Sequence, residues 1–223
     1  WAAIPALLKT KLKVDDVVST LLLNYVMIHI MGALLFGPLQ QPDSSWPRSS
    51  AIVEAACYPI LLVRSRFHLG ILLAFLAVLI IWFINKKTIF GYQSRAVGVN
   101  ARAAEFGGIN TTKVILWTAL ISGGLAGLAG VGELCAIQRR LIMDISPGYG
   151  YSGIVIAMLG NLHPMGVLFS SLFFSIIIVG AQTMSRMTGV PTYIAEVIQG
   201  MALMVMLIFL LFTEYKIRRV RKK

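Results

Sequence analysis

Few side chains in this sequence could do chemistry, and they are scattered. His29, His68 and His163 stand on different segments, and no Cys/His pair has the spacing of metal ligands, so the residues offer no metal site. There is no G-x-x-x-x-G-K-[ST] loop to cradle phosphates and no H-E-x-x-H helix to hold zinc. The serines have no neighbouring base, and no catalytic set stands out. What remains is a group of polar residues set in or beside apolar runs: Asn24, Tyr25, Glu133, Asn161, Gln182, Glu196 and Gln199. Such groups hydrogen-bond rather than react. The two cysteines, Cys57 and Cys135, leave two readings open, a disulfide or two unpaired apolar side chains.

The elements that must position these groups are membrane helices. Charged residues make up 13% of the chain and hydrophobic ones 57%, with a mean hydropathy of +0.80. A soluble domain carries about 25% charged residues. In lipid each backbone polar group must be satisfied within its own segment, so the expected fold is all-α and polytopic. The apolar runs give about five full spans plus one short or broken span. The full spans are Val17–Gly37, His68–Ile84, Thr112–Ala136, Gly166–Met184 and Tyr193–Phe212, and Tyr149–Leu162 is the short one. Before them, Trp1–Asp16 reads as an amphipathic interfacial helix, with Trp1, Ile4, Leu7, Leu8 and Leu12 opposite Lys9, Lys11 and Lys13. Residues 38–67 form a long outer loop in which 51–62 would be a short helix. The whole of 1–223 reads as one membrane domain.

Several polar positions carry two readings. Asn24 is costly in lipid and should face the bundle interior, for interhelical hydrogen bonding or for a solute. Glu133 is a snorkelling charge or part of an outer vestibule. The break Gly160-Asn-Leu-His-Pro-Met-Gly166 is a tight turn or a backbone opening onto a pathway. Gly123, Gly127 and Gly130 supply a small-residue stripe for close helix packing.

Charge sets the orientation. The net charge is +11, but no aromatic-interleaved basic patch accompanies it, so nucleic acid is not an expected partner. With six crossings, the opening, the stretch around 87–111 and the C-terminal tail share one side and hold 14 of the 20 Lys and Arg residues. That bias places this side, and the C-terminus, in the cytoplasm.

The stretch 87–111 is the organising one. From Gly91 to Ile109 it is polar and lacks apolar periodicity. Asn100 can cap a helix of about two turns over Ala101–Phe106, and Gly107-Gly108 can stop it. The run Arg95-Ala-Val-Gly-Val-Asn-Ala-Arg-Ala-Ala-Glu-Phe-Gly-Gly-Ile109 resembles the cytoplasmic signature of ABC-importer permeases of the branched-chain amino acid, simple sugar and nucleoside class. It matches at Arg95, Ala96, Val97, Gly98, Asn100, Ala103, Ala104, Gly108 and Ile109. Ser19-Thr-Leu-Leu-Leu-Asn-Tyr25 is similar to the sugar/nucleoside branch, and Gly150-Tyr-Ser-Gly-Ile154 with Gly160–Gly166 is similar to a further family element.

The resemblance implies an importer subunit in a bacterial inner membrane, with further spans upstream of Trp1. It implies ABC ATPase subunits that carry ATP and Mg, no cofactor on this chain, a second permease subunit and an extracytoplasmic solute-binding protein. Residues 38–67 would meet that binding protein. Arg95, Gly98, Asn100, Ala103, Ala104, Glu105, Gly108 and Ile109 would couple to the ATPase. Amides and an aromatic along the pathway suit a nucleoside or simple sugar. An ATP-independent facilitator is the alternative; it would keep the polar interior without needing the signature.

Overall fold

The computed structural model describes residues 1–42, 44–61 and 67–189, together with Tyr193, Val197, Gly200, Met201, Met204, Val205 and Ile208. Four of its helices are long and apolar enough to cross a membrane: Asp16–Leu35, Leu69–Lys87, Thr111–Gln138 and Pro164–Thr188. The shortest, at 19 residues, spans about 28 Å, close to the hydrocarbon thickness of a bilayer. They coincide with four of the five full spans read from the sequence. The fifth, Tyr193–Phe212, lies largely outside the described residues. Large apolar side chains cover the surface of these helices, Leu22, Leu79 and Ile176 among them. In water that would be an aggregating surface; against acyl chains it is the expected one.

The chain divides into two compact units, 1–147 and 148–223. In the first, α1 (Ala3–Leu12) and α2 (Asp16–Leu35) form a helical hairpin. Asp15 caps α2, its carboxylate accepting from Val17 N at 2.8 Å and Val18 N at 3.2 Å. Lys9 closes the hairpin on Asp16 at 2.5 Å. α1 does not bury its leucines. Its buried residues are Pro5 and Ala6, and it packs along α6 (Thr111–Gly132). A Cβ on Gly123 would stand 2.3 Å from the Ala2 Cβ, so that glycine admits α1 beside the middle of α6. Gly127 and Gly130 meet nothing within 4 Å among the described residues, so only the first glycine of the stripe is used within this unit.

α3 (Leu69–Lys87) leads into α4 (Ile89–Val99) and α5 (Ala101–Phe106), and α6 returns. Lys86 sits 5.5 Å above the Trp82 ring, a cation–π contact suited to the end of a span. α6 ends in a π-helical turn, Glu133–Gln138. Arg48, Ser49, Ile52 and Tyr58 of the outer loop lie against that far end and the residues just beyond it. The expected helix over 51–62 is one 3₁₀ turn, Glu54–Ala56, and its flanks are extended. Ser49 N donates to Leu141 O, Ile52 N to Arg139 O (both 2.9 Å) and Tyr58 N to Cys135 O (3.2 Å). This backbone clasp satisfies polar groups that a helix would otherwise have paired internally.

In the second unit, α7 (Tyr149–Leu159) has 11 residues, about 17 Å of helix, half a crossing. α8 (Pro164–Thr188) starts with Pro164 in its first turn, where a missing N–H costs nothing. Phe174, fully buried, makes an edge contact with Phe173 at 5.7 Å.

Candidate functional site

The geometry concentrates at the corner between α3 and α6. One hydroxyl joins α3 to α4: Thr88 Oγ1 donates to Ile84 O at 2.7 Å and accepts from Gly91 N at 3.2 Å. Gly91 is buried there because a Cβ would stand 2.3 Å from Ile84 O. Arg95 Nη1 donates to the carbonyl of Asn85, a group left without a helical partner where α3 ends. Residues 91–99, which the sequence suggested as part of a connecting loop, are therefore helical. They carry Arg95 and Gly98 on a rod braced against α3.

The short helix is where the sequence placed it. Asn100 Oδ1 accepts from Ala103 N at 3.1 Å. At the other end Gly108 N donates to Glu105 O and Ile109 N to Ala104 O, with Gly108 at φ 83°. This is a Schellman closure, and the positive φ demands glycine. Ala104 is 7% exposed, packed inward, whereas Ala103, Glu105 and Gly108 face out. Asn110 then caps α6 through Lys113 N at 3.0 Å. The outer surface of α4 and α5 is apolar in places: Val99 is 88% exposed and Phe106 95%.

Directly behind this corner lies a cavity of about 410 Å³ between α1, α2, α4 and α6. Its walls include Lys9 and Asp16 on one side, Ser94 and Gly98 on α4, and Thr118 and Ser122 on α6. Sequence reasoning missed it, because no local pattern joins residues 9, 94 and 118.

A family profile described as "Branched-chain amino acid transport system / permease component" matches residues 1–208. The chain belongs to that family. Among curated relatives, the permease is 31% identical to the glucose ABC transporter permease protein TsgB13 of Haloferax volcanii, over 97% of this chain and 60% of that one. It is also 31% identical to the guanosine ABC transporter permease protein NupP of Bacillus subtilis, over 100% of this chain and 64% of the relative. The nucleoside ABC transporter permease protein NupB of Lactococcus lactis is 29% identical over 87% of this chain and 56% of its own length. The permease chain thus spans roughly three fifths of the length of these relatives. No solved structure matches it.

In the first unit of this permease the polar residues inside the spans, Asn24, Tyr25 and Glu133, do not come together. Asn24 and Tyr25 are exposed on α2, which is covered chiefly by α1. Among the described residues of this unit, the face of α2 that carries Asn24 is left open. Asn24 lies eight residues along α2 and Glu133 22 residues along α6, both counted from the same end of the bundle. At 1.5 Å per residue they differ by about 20 Å in depth. Glu133 accepts from Gln138 Nε2 at 3.2 Å within the π-turn.

In the second unit Asn161 (φ 52°) takes the left-handed position of another Schellman turn. Its N–H donates to Met158 O and that of Leu162 to Ala157 O. Residues 160–162 therefore make a tight turn. Gln182 is half-buried on α8, about 27 Å along the helix axis from Pro164. Glu196 and Gln199 lie outside the described residues.

Proposed function

We propose that the chain is the transmembrane permease subunit of an ABC importer, moving a small polar solute inward by alternating access. Energy comes from separate ATPase subunits that bind ATP and Mg. The observation that carries this reading is the braced corner: α4 and α5 are fixed to the ends of α3 and α6 and present Val99 and Phe106 bare. An exposed apolar side chain on a polar, helix-capped platform is what a docking partner would cover. Force applied there passes into α3 and α6 with little slack, and α4 is also one wall of the cavity bounded by α1 and α2. A movement of α4 against α1 therefore changes the space behind it.

In this reading Arg95, Gly98, Asn100, Ala103, Ala104, Glu105, Gly108 and Ile109 are the coupling residues. Their roles differ. Arg95, Asn100 and Gly108 stiffen the corner, and Ala104 seats α5. The corner and the C-terminus face the cytoplasm, as the distribution of Lys and Arg favours. The outer loop 38–67, held to the far end of α6 through Ser49, Ile52 and Tyr58, faces outward toward a solute-binding protein. The polar faces of α2 suit a second permease subunit, since Asn24 and Tyr25 would be costly against lipid. Nucleosides or simple sugars are the favoured solutes. The relatives named for guanosine, nucleoside and glucose transport support that class, as do the amide and hydroxyl groups carried by Asn24, Ser94 and Thr118.

The test is site-directed cross-linking in the assembled transporter. Phe106→Cys should cross-link to the ATPase subunit, and Phe106→Asp should reduce ATPase co-purification while leaving the permease folded. Labelling of Phe106→Cys from outside intact cells by a membrane-impermeant maleimide would overturn the reading.

A further inference from the structure

The clasp between the outer loop and the end of α6 brings the two cysteines together. Cys57 closes the 3₁₀ turn, and Cys135 lies in the π-turn. Tyr58 N donates to Cys135 O at 3.2 Å. The Cys57–Tyr58 peptide is trans, so the Tyr58 amide hydrogen lies on the same side as the Cys57 Cα. Fixed bond lengths and angles then put the two Cα atoms at most about 7.5 Å apart, and closer wherever the hydrogen-bonded path bends. A disulfide needs Cα atoms about 4.4–6.8 Å apart. Both thiols are half-buried, so each is within reach of a reagent. Among the described residues both cysteines are free and neither joins a metal-binding group, and Cys57 Sγ makes a weak 3.8 Å contact with Val53 O.

We infer that Cys57 and Cys135 are an intrachain disulfide site that staples the outer loop to the far end of α6. The placement rests on the orientation given under Proposed function, which puts both thiols in the oxidising exterior. The oxidant is a protein disulfide donor of the thiol-oxidase class. One thiolate attacks a sulfur of the donor's disulfide, and the second thiolate displaces the donor from the mixed disulfide. The Cys57–Cys135 bond forms and the donor's bond breaks. Two electrons pass to the donor, and the two thiol protons end on its sulfurs. In the reduced chain the loop is held by backbone hydrogen bonds; in the oxidised chain it moves with α6 as one body.

The experiment uses the full-length permease in membranes with its partner subunits. After treatment with diamide, tryptic digestion should yield peptide 49–64 joined to peptide 114–139, in a species running as a monomer on a non-reducing gel. Cys57→Ser should leave Cys135 open to alkylation after the same treatment, and Cys135→Ser should leave Cys57 open. Two alkylatable thiols in the oxidised wild type, or a cross-link found only between two chains, would overturn the staple. Orientation is read separately. Reduced Cys57 should react with an impermeant maleimide on intact cells. Reaction only after permeabilisation would refute the exterior placement, even if diamide joins the pair in purified protein.

Discussion

Replacing Gly166 by alanine should be the most damaging small substitution in the second unit. A Cβ there would lie 2.2 Å from Gly160 O and 2.9 Å from Gly160 C. Both are backbone atoms, so no rotamer change can relieve the contact. Carbon and oxygen need about 3.2 Å, so the α7–α8 turn must open by roughly 1 Å, and overpacking of this kind costs about 1–3 kcal/mol. The upper end applies, because the turn already holds Asn161 and Leu162 at positive φ and has no relaxed direction to move. For a chain of this size about 3 kcal/mol lowers the apparent Tm by roughly 6–12 °C. The assay is thermal unfolding of purified protein in detergent, with Gly153→Ala as the control, since a Cβ at Gly153 meets nothing within 4 Å among the described residues. Gly160→Ala collides in the same gap, 2.5 Å from Val167 N, so the double variant should cost less than the two single ones together. A Gly166→Ala protein that melts within a degree of wild type, or a control that falls as far, would refute the close-approach argument.

Other outcomes follow from the corner. Asn100→Ala removes the α5 cap and should cost about 1 kcal/mol locally, seen as faster amide exchange over 101–106 with the spans unchanged. Gly108→Trp should lower ATPase stimulation without unfolding the bundle, because the strain lies in the backbone at φ 83° and a Cβ there meets nothing within 4 Å. Gly108→Asn, which tolerates the left-handed region, should recover most of that stimulation; equal loss in both would point to surface contact instead of backbone strain. Gly98→Leu has room for its side chain and should keep the melting temperature while slowing solute uptake, as it extends into the cavity wall. Unchanged uptake would remove the cavity from the transport cycle.

The legible parts of this fold were the local ones. Asn100 as a cap and Gly107-Gly108 as a stop are short-range chemistry, so α5 could be read from its own residues. The spans were readable because lipid imposes a length and a composition. α4 was hidden because its turns carry Gln93, Ser94 and Arg95 in a stretch without an apolar stripe, and because its cap, Thr88, sits at the end of the previous span. The clasp was illegible for a different reason. Pairing Ser49 with Leu141 is a long-range event, and the residues involved have no strand alternation. The same holds for the partnership of Gly123 with Ala2. A polar group in an apolar run is visible in a sequence, but that pattern does not say whether two such groups meet. Asn24 and Glu133 do not, and Asn161 is spent on backbone conformation.

The corner separates two duties that one segment might have mixed. Thr88, Gly91 and Arg95 face α3 and shape the joint, while Ile89, Tyr92, Val99 and Phe106 stand largely bare. On the proposed reading those four positions can drift in step with an ATPase docked on them while the membrane part keeps its form. A chimera that exchanges these four alone between two permeases should change which motor is recruited and leave the cargo as it was.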